Sequence, residues 1–483
     1  MSDRDSRRPA PRRRAEGPAR RRRPESTPRP RPDRAAFTGL VLVLLAAAAV
    51  FLTRPAAPAA PPHAVSSGAL VRHTRLACPQ QGAARGASSQ YLTGSVPAAG
   101  VGSGGSVRAG TVGSPGRPVQ LNRGSMVQLP TSVSGPQITA DGDIAAGLFG
   151  FRVDSGTTRA VAPCAAPRAS WWFTGPAATL DHSSTLVMTN VDPGPAVVDL
   201  KVLGPHGPVS TVGTRGITIA PGSRKTVPLA SVAPQTGDAA VEVHASRGRV
   251  VAAMSDSFSP RAGASAGAEW LPDQTLPSRV VRLAGLPAKA DRRTLLVSNP
   301  SSLEAIVSVQ VAGANGGFTP AGLDQIQVAP GTVQAVDLTK AVGNEATAVR
   351  LHSQVPVTAS VRSTTTTDST YAAPVLPLAG PAAAPVVKGA ASTVQVTAGE
   401  APARVRFASY TAGGHRLDGG TRTVRPRTTV AWTPSKRSAY VVVTPERGAV
   451  YGAVSLSGTG VSQVPLTTLP IRFQEPPVLP ATS

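Results

Sequence analysis

Aromatic side chains are scarce here, 4% of 483 residues, so any core must be built mainly from Val, Leu, Ile and Ala. Cysteine is almost absent: Cys78 and Cys164 are the only two, and neither has a second cysteine near it in sequence. That spacing does not suit a zinc site. Carboxylates are few, 26 against 49 Lys and Arg. A glycosidase needs a pair of Asp or Glu residues in a cleft, and the sequence points to no such pair. No Gly-rich phosphate loop joins a strand to a helix, and no segment carries a convincing soluble-helix period. The expectation is a chain without cofactors and without catalytic machinery.

Gly and Pro number 48 each, about a fifth of the chain, which suits many short strands joined by turns. The net charge is +23, and residues 1–34 hold 13 Arg against Asp3, Asp5, Glu16, Glu25 and Asp33. Residues 35–53 form an uncharged run of 19 bounded by Arg34 and Arg54, close to the length that crosses a bilayer. It reads as a transmembrane signal anchor, longer than a usual signal-peptide core. The Arg-rich tail holds the N-terminus in the cytoplasm, which puts the rest of the chain outside the cell membrane. Ala57-Pro58-Ala59 offers the alternative of cleavage. Two exported cysteines allow one intramolecular disulfide, Cys78–Cys164, worth about 4–5 kcal/mol on chain entropy.

Internal similarity organises the rest. Thr185–Asn190 matches Thr294–Asn299, and Ala196–Val202 matches Ala305–Val311. Ile217-Thr-Ile-Ala-Pro-Gly222 matches Ile326-Gln-Val-Ala-Pro-Gly331, at an offset of 109 residues. Ala240–His244 with Val250–Ala253 matches Ala348–His352 with Val357–Ser360. A shorter copy follows, through Ala439–Val443, Arg447-Gly448 and Val450–Ala453, and a weaker one precedes, around Asp141-Gly142. Period-two alternation marks these runs as strands. Asp141-Gly142, Arg247-Gly248 and Arg447-Gly448 lie between strands, where tight hairpin turns are expected; the second clear copy has Gln354-Val355-Pro356 instead. The expected architecture is all-β, with tandem immunoglobulin-like sandwiches over residues 73–175, 176–275, 276–385 and 386–475. A linker at 54–72 precedes them, Ala379–Pro385 is a further linker, and 476–483 is a tail.

Cys78-Pro79, the Pro163-Cys164 element leading to Trp171-Trp172-Phe173, Asn190 and Ala220-Pro-Gly222 resemble an uncharacterised family of actinobacterial exported proteins, one of the domain-of-unknown-function families. The resemblance covers about residues 73–470. It implies export and no assigned activity, so it assigns no functional residue.

Individual candidates are few. Gly263-Ala-Ser265-Ala-Gly267 fits a hydrolase nucleophile motif, but in a Ser/Gly/Ala-rich stretch without the strand–turn–helix context. Among His63, His73, His182, His206, His244, His352 and His415, no two have ligand spacing on a helix. His244 and His352 hold equivalent positions and read as outward strand residues. Asp141-Gly142-Asp143 is too sparse for a calcium loop. Trp171 and Trp172 are possible ligand contacts, since neighbours on a strand face opposite ways and an exposed one can stack on a sugar or sit at a membrane surface; packing at a domain junction, near Cys164, is the favoured reading. The function expected is a non-enzymatic envelope protein, a rigid β-rod that contacts anionic wall polymer or another membrane protein, not nucleic acid. The alternative is an envelope glycan hydrolase or transferase, or an accessory subunit of one.

Overall fold

The computed structural model describes residues 68–80, 88–132, 134–156, 158–259 and 267–473. The Arg-rich tail, the apolar run 35–53, Ser265 and the C-terminal tail lie outside them. Among the described residues no helix is long and apolar enough to cross a membrane.

The fold is nearly all β. Period-two alternation becomes burial: along strand Ala196–Gly204, Ala196, Val198, Leu200 and Val202 are buried while Val197, Asp199 and Lys201 are partly or fully exposed. Strands sort into four pairs of facing layers plus a short terminal ribbon, the two layers of the third pair being one eight-stranded sheet joined by a shared strand. The two layers of each pair face one another as a sandwich. In the first sandwich, strand His73–Ala77 joins Pro136–Gly142, Gly105–Thr111 and Arg117–Val119, opposite the sheet Met126–Gln128, Ser88–Ser95, Leu148–Ser155 and Arg159–Pro163. The other three sandwiches repeat this order. The third core contains only Val, Leu and Ala, as the shortage of aromatics requires.

Two repeated asparagines have one structural job. Asn190 donates from Nδ2 to the carbonyls of Gly194 (2.8 Å) and Ile219 (3.0 Å), and its Oδ1 accepts from the Asp192 amide (3.0 Å). Asn299 donates to Leu303 (2.7 Å) and Val328 (3.0 Å) and accepts from Ser301 (3.1 Å). Both are fully buried. A buried amide that satisfies three backbone groups of two separate segments cannot be replaced by an apolar residue without orphaning them.

The turns expected to close hairpins do something else. Ala240–Arg247 belongs to one sheet of the second sandwich and Val251–Phe258 to the other; they do not pair. Arg247-Gly248 therefore carries the chain across the core from sheet to sheet. Gly248 and Gly448 have φ of +71° and +75°, so glycine is needed, though for a crossing rather than a hairpin. The third sandwich makes the same crossing without a glycine. One strand, Thr347–Thr364, runs through Gln354-Val355-Pro356, pairing with Ala305–Ala312 of one layer up to Ser353 and with Arg292–Ser298 of the other from Thr358.

Two boundaries shift. Ser170–Thr174, with Trp171 and Trp172, pairs with Ala240–His244 and opens the second sandwich instead of closing the first. Ala382–Pro385, expected as linker, is a buried strand paired with Tyr440–Val443. Its alanines have too little side chain to reveal period-two burial.

The units do not form a rod. Ala69–Leu70, from the expected linker, pairs with Arg472–Phe473 at the far end of the described chain. One hydrophobic cluster unites Phe149, Phe151 and Val153 of the first sandwich with Phe407, Tyr440 and Val443 of the fourth. The last strands of the four sandwiches, Arg159–Pro163, Gly267–Leu271, Ser369–Ala372 and Val461–Pro465, meet one another in a ring. Four repeats thus close head to tail around an axis lined by their final strands.

Candidate functional site

The axis is polar. Arg152, fully buried, donates to Asp154 Oδ1 (2.8 Å), the Pro79 carbonyl (2.8 Å) and Ser89 Oγ (2.7 Å). Asp154 Oδ2 accepts from Trp270 Nε1 of the second sandwich at 2.9 Å. The guanidinium also lies 5.3 Å from the Trp270 ring centroid. A buried charge pair satisfied on this scale fixes the register of two units.

Further along the axis stand two carboxyls with no counter-charge among the described residues. Glu269 accepts from Thr370 Oγ1 (3.1 Å) and the Trp270 amide (2.8 Å). Asp368 accepts from the amides of Val461 (2.9 Å) and Ser369 (2.9 Å). Burial, and then the nearby Asp368, push Glu269 well above the usual carboxylate range. Burial raises Asp368 to about 7 against the pull of its two amide donors. These residues come from three sandwiches. Gly267 and Gly460 approach Asp368 so closely that a Cβ on either would strike its carboxylate.

A second cluster centres on Asp256. It accepts from His182 Nδ1 (2.6 Å), Ser184 Oγ (2.8 Å) and Tyr371 Oη (2.8 Å). The residue types are those of a nucleophilic triad, but the bonding is not. Ser184 gives its proton to the aspartate rather than to the histidine, so no base activates the hydroxyl. Tyr371 comes from the third sandwich, and burial followed by Asp256 raises its phenol. The cluster is a buried clamp between two sandwiches.

Trp171 and Trp172 pack at a junction between sandwiches, the reading favoured over ligand contact. They do face opposite ways, but both are buried. Trp171 lies in its own core, donates to the Val250 carbonyl (2.9 Å) and carries the Arg168 guanidinium 3.6 Å from its ring centroid. Trp172 packs on Leu296 and Val333 of the third sandwich. Closure of the ring covers the face that an isolated strand would expose.

Residues 133–435, well over half of the chain, match the model of a family of unknown function, DUF5719. The chain belongs to that family. No curated protein matches it. Among solved structures, the α-L-rhamnosidase of Streptomyces avermitilis complexed with L-rhamnose aligns at 11% identity over 79% of this chain and 55% of the enzyme, with a TM-score of 0.12. That likeness carries no argument about fold or function.

The other sequence candidates in this DUF5719 member separate. Cys78 and Cys164 form the expected disulfide, tying the two sheets of the first sandwich beside the bridge Ala77–Ala165. Asp141 bonds His73 Nδ1 (2.7 Å) and Asp143 pairs with Arg72, so the two carboxylates turn to separate partners and do not converge. No group of three or more metal-ligating side chains occurs among the described residues. His244 is exposed and His352 half-buried at matching strand positions. Burial, then Arg350 and Arg282, lower His352.

Two surface features remain. A groove of about 620 Å³ lies between loops of the third sandwich and the open sheet of the fourth. The second is basic. Residues 382–465 hold ten Lys and Arg against Glu400, Asp418 and Glu446. Strand Arg416–Val424 is a free edge of the fourth sandwich and is mostly exposed. Arg416, Lys436 and Arg437 gather at one end of it, where the Ser435 amide bonds Asp418 and the Ala439 amide bonds the Tyr410 carbonyl. None of the three makes an ion pair among the described residues, whereas Arg404 and Arg406 share Glu446. Arg422 bonds the Ala431 carbonyl and sits 5.8 Å from the Phe407 ring centroid.

Sequence reasoning missed Glu269 and Asp368. The internal comparison stopped at Phe258 and Thr364. Extended by one strand, it would have set Gly267–Leu271 beside Ser369–Ala372 and exposed the acidic residues there.

Proposed function

We propose that this chain is a non-catalytic envelope protein, held at the membrane by residues 35–53, whose immunoglobulin-type sandwiches present a basic edge to an anionic wall polymer. The observation that carries the reading is the uneven charge. The fourth sandwich has a net +7, and its unpaired cations cluster at a free, exposed edge. Such a surface attracts a polyanion through many weak contacts that salt screens. Its place outside the membrane, expected from the Arg-rich tail and from the resemblance to actinobacterial exported proteins, favours an envelope partner over nucleic acid.

The absence of turnover is supported by where the acids lie. Glu269 and Asp368 are a carboxyl pair, as a glycosidase would need, but both are buried and neither borders the groove. The test is binding of full-length protein in detergent to purified poly(glycerol phosphate). Reversal of Arg416, Lys436 and Arg437 to Glu is expected to weaken binding at least roughly tenfold at low salt and to flatten its salt dependence. Unchanged binding, or no binding by the unaltered chain, contradicts the reading.

A further inference from the structure

The groove between the third and fourth sandwiches has a chemistry unlike the basic edge. Its volume, about 620 Å³, falls in the range of about 300–1,000 Å³ usual for small-ligand sites. One wall consists of third-sandwich loops bearing Lys289, Asn344 and Thr366; the other is the fourth-sandwich sheet, with Thr393 and Ser457. None of these five side chains has a hydrogen-bond partner among the described residues, and their exposed or half-exposed positions leave them open to a ligand. Gln395, 1% exposed, lies at the floor. Its Nε2 is spent on the Leu286 carbonyl and Ser455 Oγ, both at 3.0 Å, but its Oε1 has no donor among the described residues. A buried acceptor left empty is costly unless something supplies a proton.

The polar part of the lining is hydroxyl and amide, set among Pro287, Ala288, Ala346, Ala431, Leu456 and Val461, with Lys289 and Glu345 cancelling in charge. It contains no aromatic face, no thiol and no His. Hydroxyls and amides both give and accept hydrogen bonds, so the complementary ligand is uncharged and offers both kinds of group around its whole surface. A flat aromatic ligand finds nothing to stack on, and a polyanion meets only one cation. We propose that this groove binds a short neutral oligosaccharide, held by Asn344, Thr366, Thr393 and Ser457 and stopped below by Gln395. The two walls come from different sandwiches, so the site exists only because the units close on one another.

The site is independent of the polyanion surface. The test is titration of full-length protein, in a sugar-free phosphocholine detergent, with cellotriose, chitotriose and maltotriose, followed by saturation-transfer NMR and calorimetry. At least one trisaccharide is expected to bind. Asn344→Ala with Thr366→Ala, both on exposed loops, should weaken it roughly tenfold with no change in melting temperature. The Arg416, Lys436 and Arg437 reversals should leave it unchanged. Failure of all three sugars to bind, or binding that survives the loop variants, overturns the proposal. So does a Ser/Thr-rich peptide that competes equally well, which would make the groove a peptide site.

Discussion

Single residues in this fold tie together segments far apart in sequence. Asn190 and Asn299 each bridge two loops of one unit. Asn190→Ala or Asn299→Ala should cost about 2–4 kcal/mol, with the double variant close to additive because the sites are in different cores. Chemical denaturation read through the m-value and midpoint checks this, and a loss below about 0.5 kcal/mol would contradict it. Asp368 controls a different property. An aspartate in an unfolded chain ionises near pH 4, while folded Asp368 holds its proton to about 7. Between these values the folded state binds more protons than the unfolded one. Stability contributed by this group therefore falls as pH rises from about 4 to 7, and Glu269 adds in the same direction. Melting temperature should be higher at pH 5 than at pH 8, and Asp368→Asn should remove much of the difference. A melting temperature that rises over this range, or an unchanged slope in the variant, would contradict the assignment.

Elements were legible to different depths. Alternation in Ala196–Gly204 and Ala305–Ala312 identifies strands and their inward faces, because apolar burial on one side of a pleat leaves that record in sequence. What it does not record is which sheet a strand joins. Two strands of opposite sheets have the same alternation as two strands of a hairpin, so Arg247-Gly248 and Arg447-Gly448 read as hairpin turns although they cross the core. The glycine requirement is the same in both cases. Gly248→Ala and Gly448→Ala should each destabilise by about 1–3 kcal/mol, because each φ is left-handed and a Cβ meets Ala196 or Ala403. Val355, in the continuous strand that makes the same crossing, should accept Ala at the smaller cost of a lost buried methyl pair. The first strand of the fourth sandwich, Ala382–Pro385, escaped notice for the opposite reason: a run of alanines is all one side-chain size, and no period can appear in it.

At the scale of the whole molecule, closure converts surface into interior. Trp172 is covered by the third sandwich, and Tyr440 donates its hydroxyl to the Gly124 carbonyl of the first. Met126 reaches the Ala412 carbonyl at 2.8 Å, and Thr429 Oγ1 reaches Ala312 at 2.7 Å. Such contacts, polar and apolar alike, come from distant segments and follow no short period, which is why tandem units read as a rod from sequence. Closure also explains why acids of different units meet on the axis and why the groove has two walls. The most direct test joins the ends of the described region by cysteine. Ala69 and Phe473 are paired across the terminal ribbon, and the only native cysteines are already bonded to each other. Full-length protein carrying Ala69→Cys and Phe473→Cys should form an intramolecular disulfide under mild oxidation, seen as a linked peptide from the monomer by non-reducing mass spectrometry. Free thiols, or links found only between molecules, would contradict the closed ring and restore the rod.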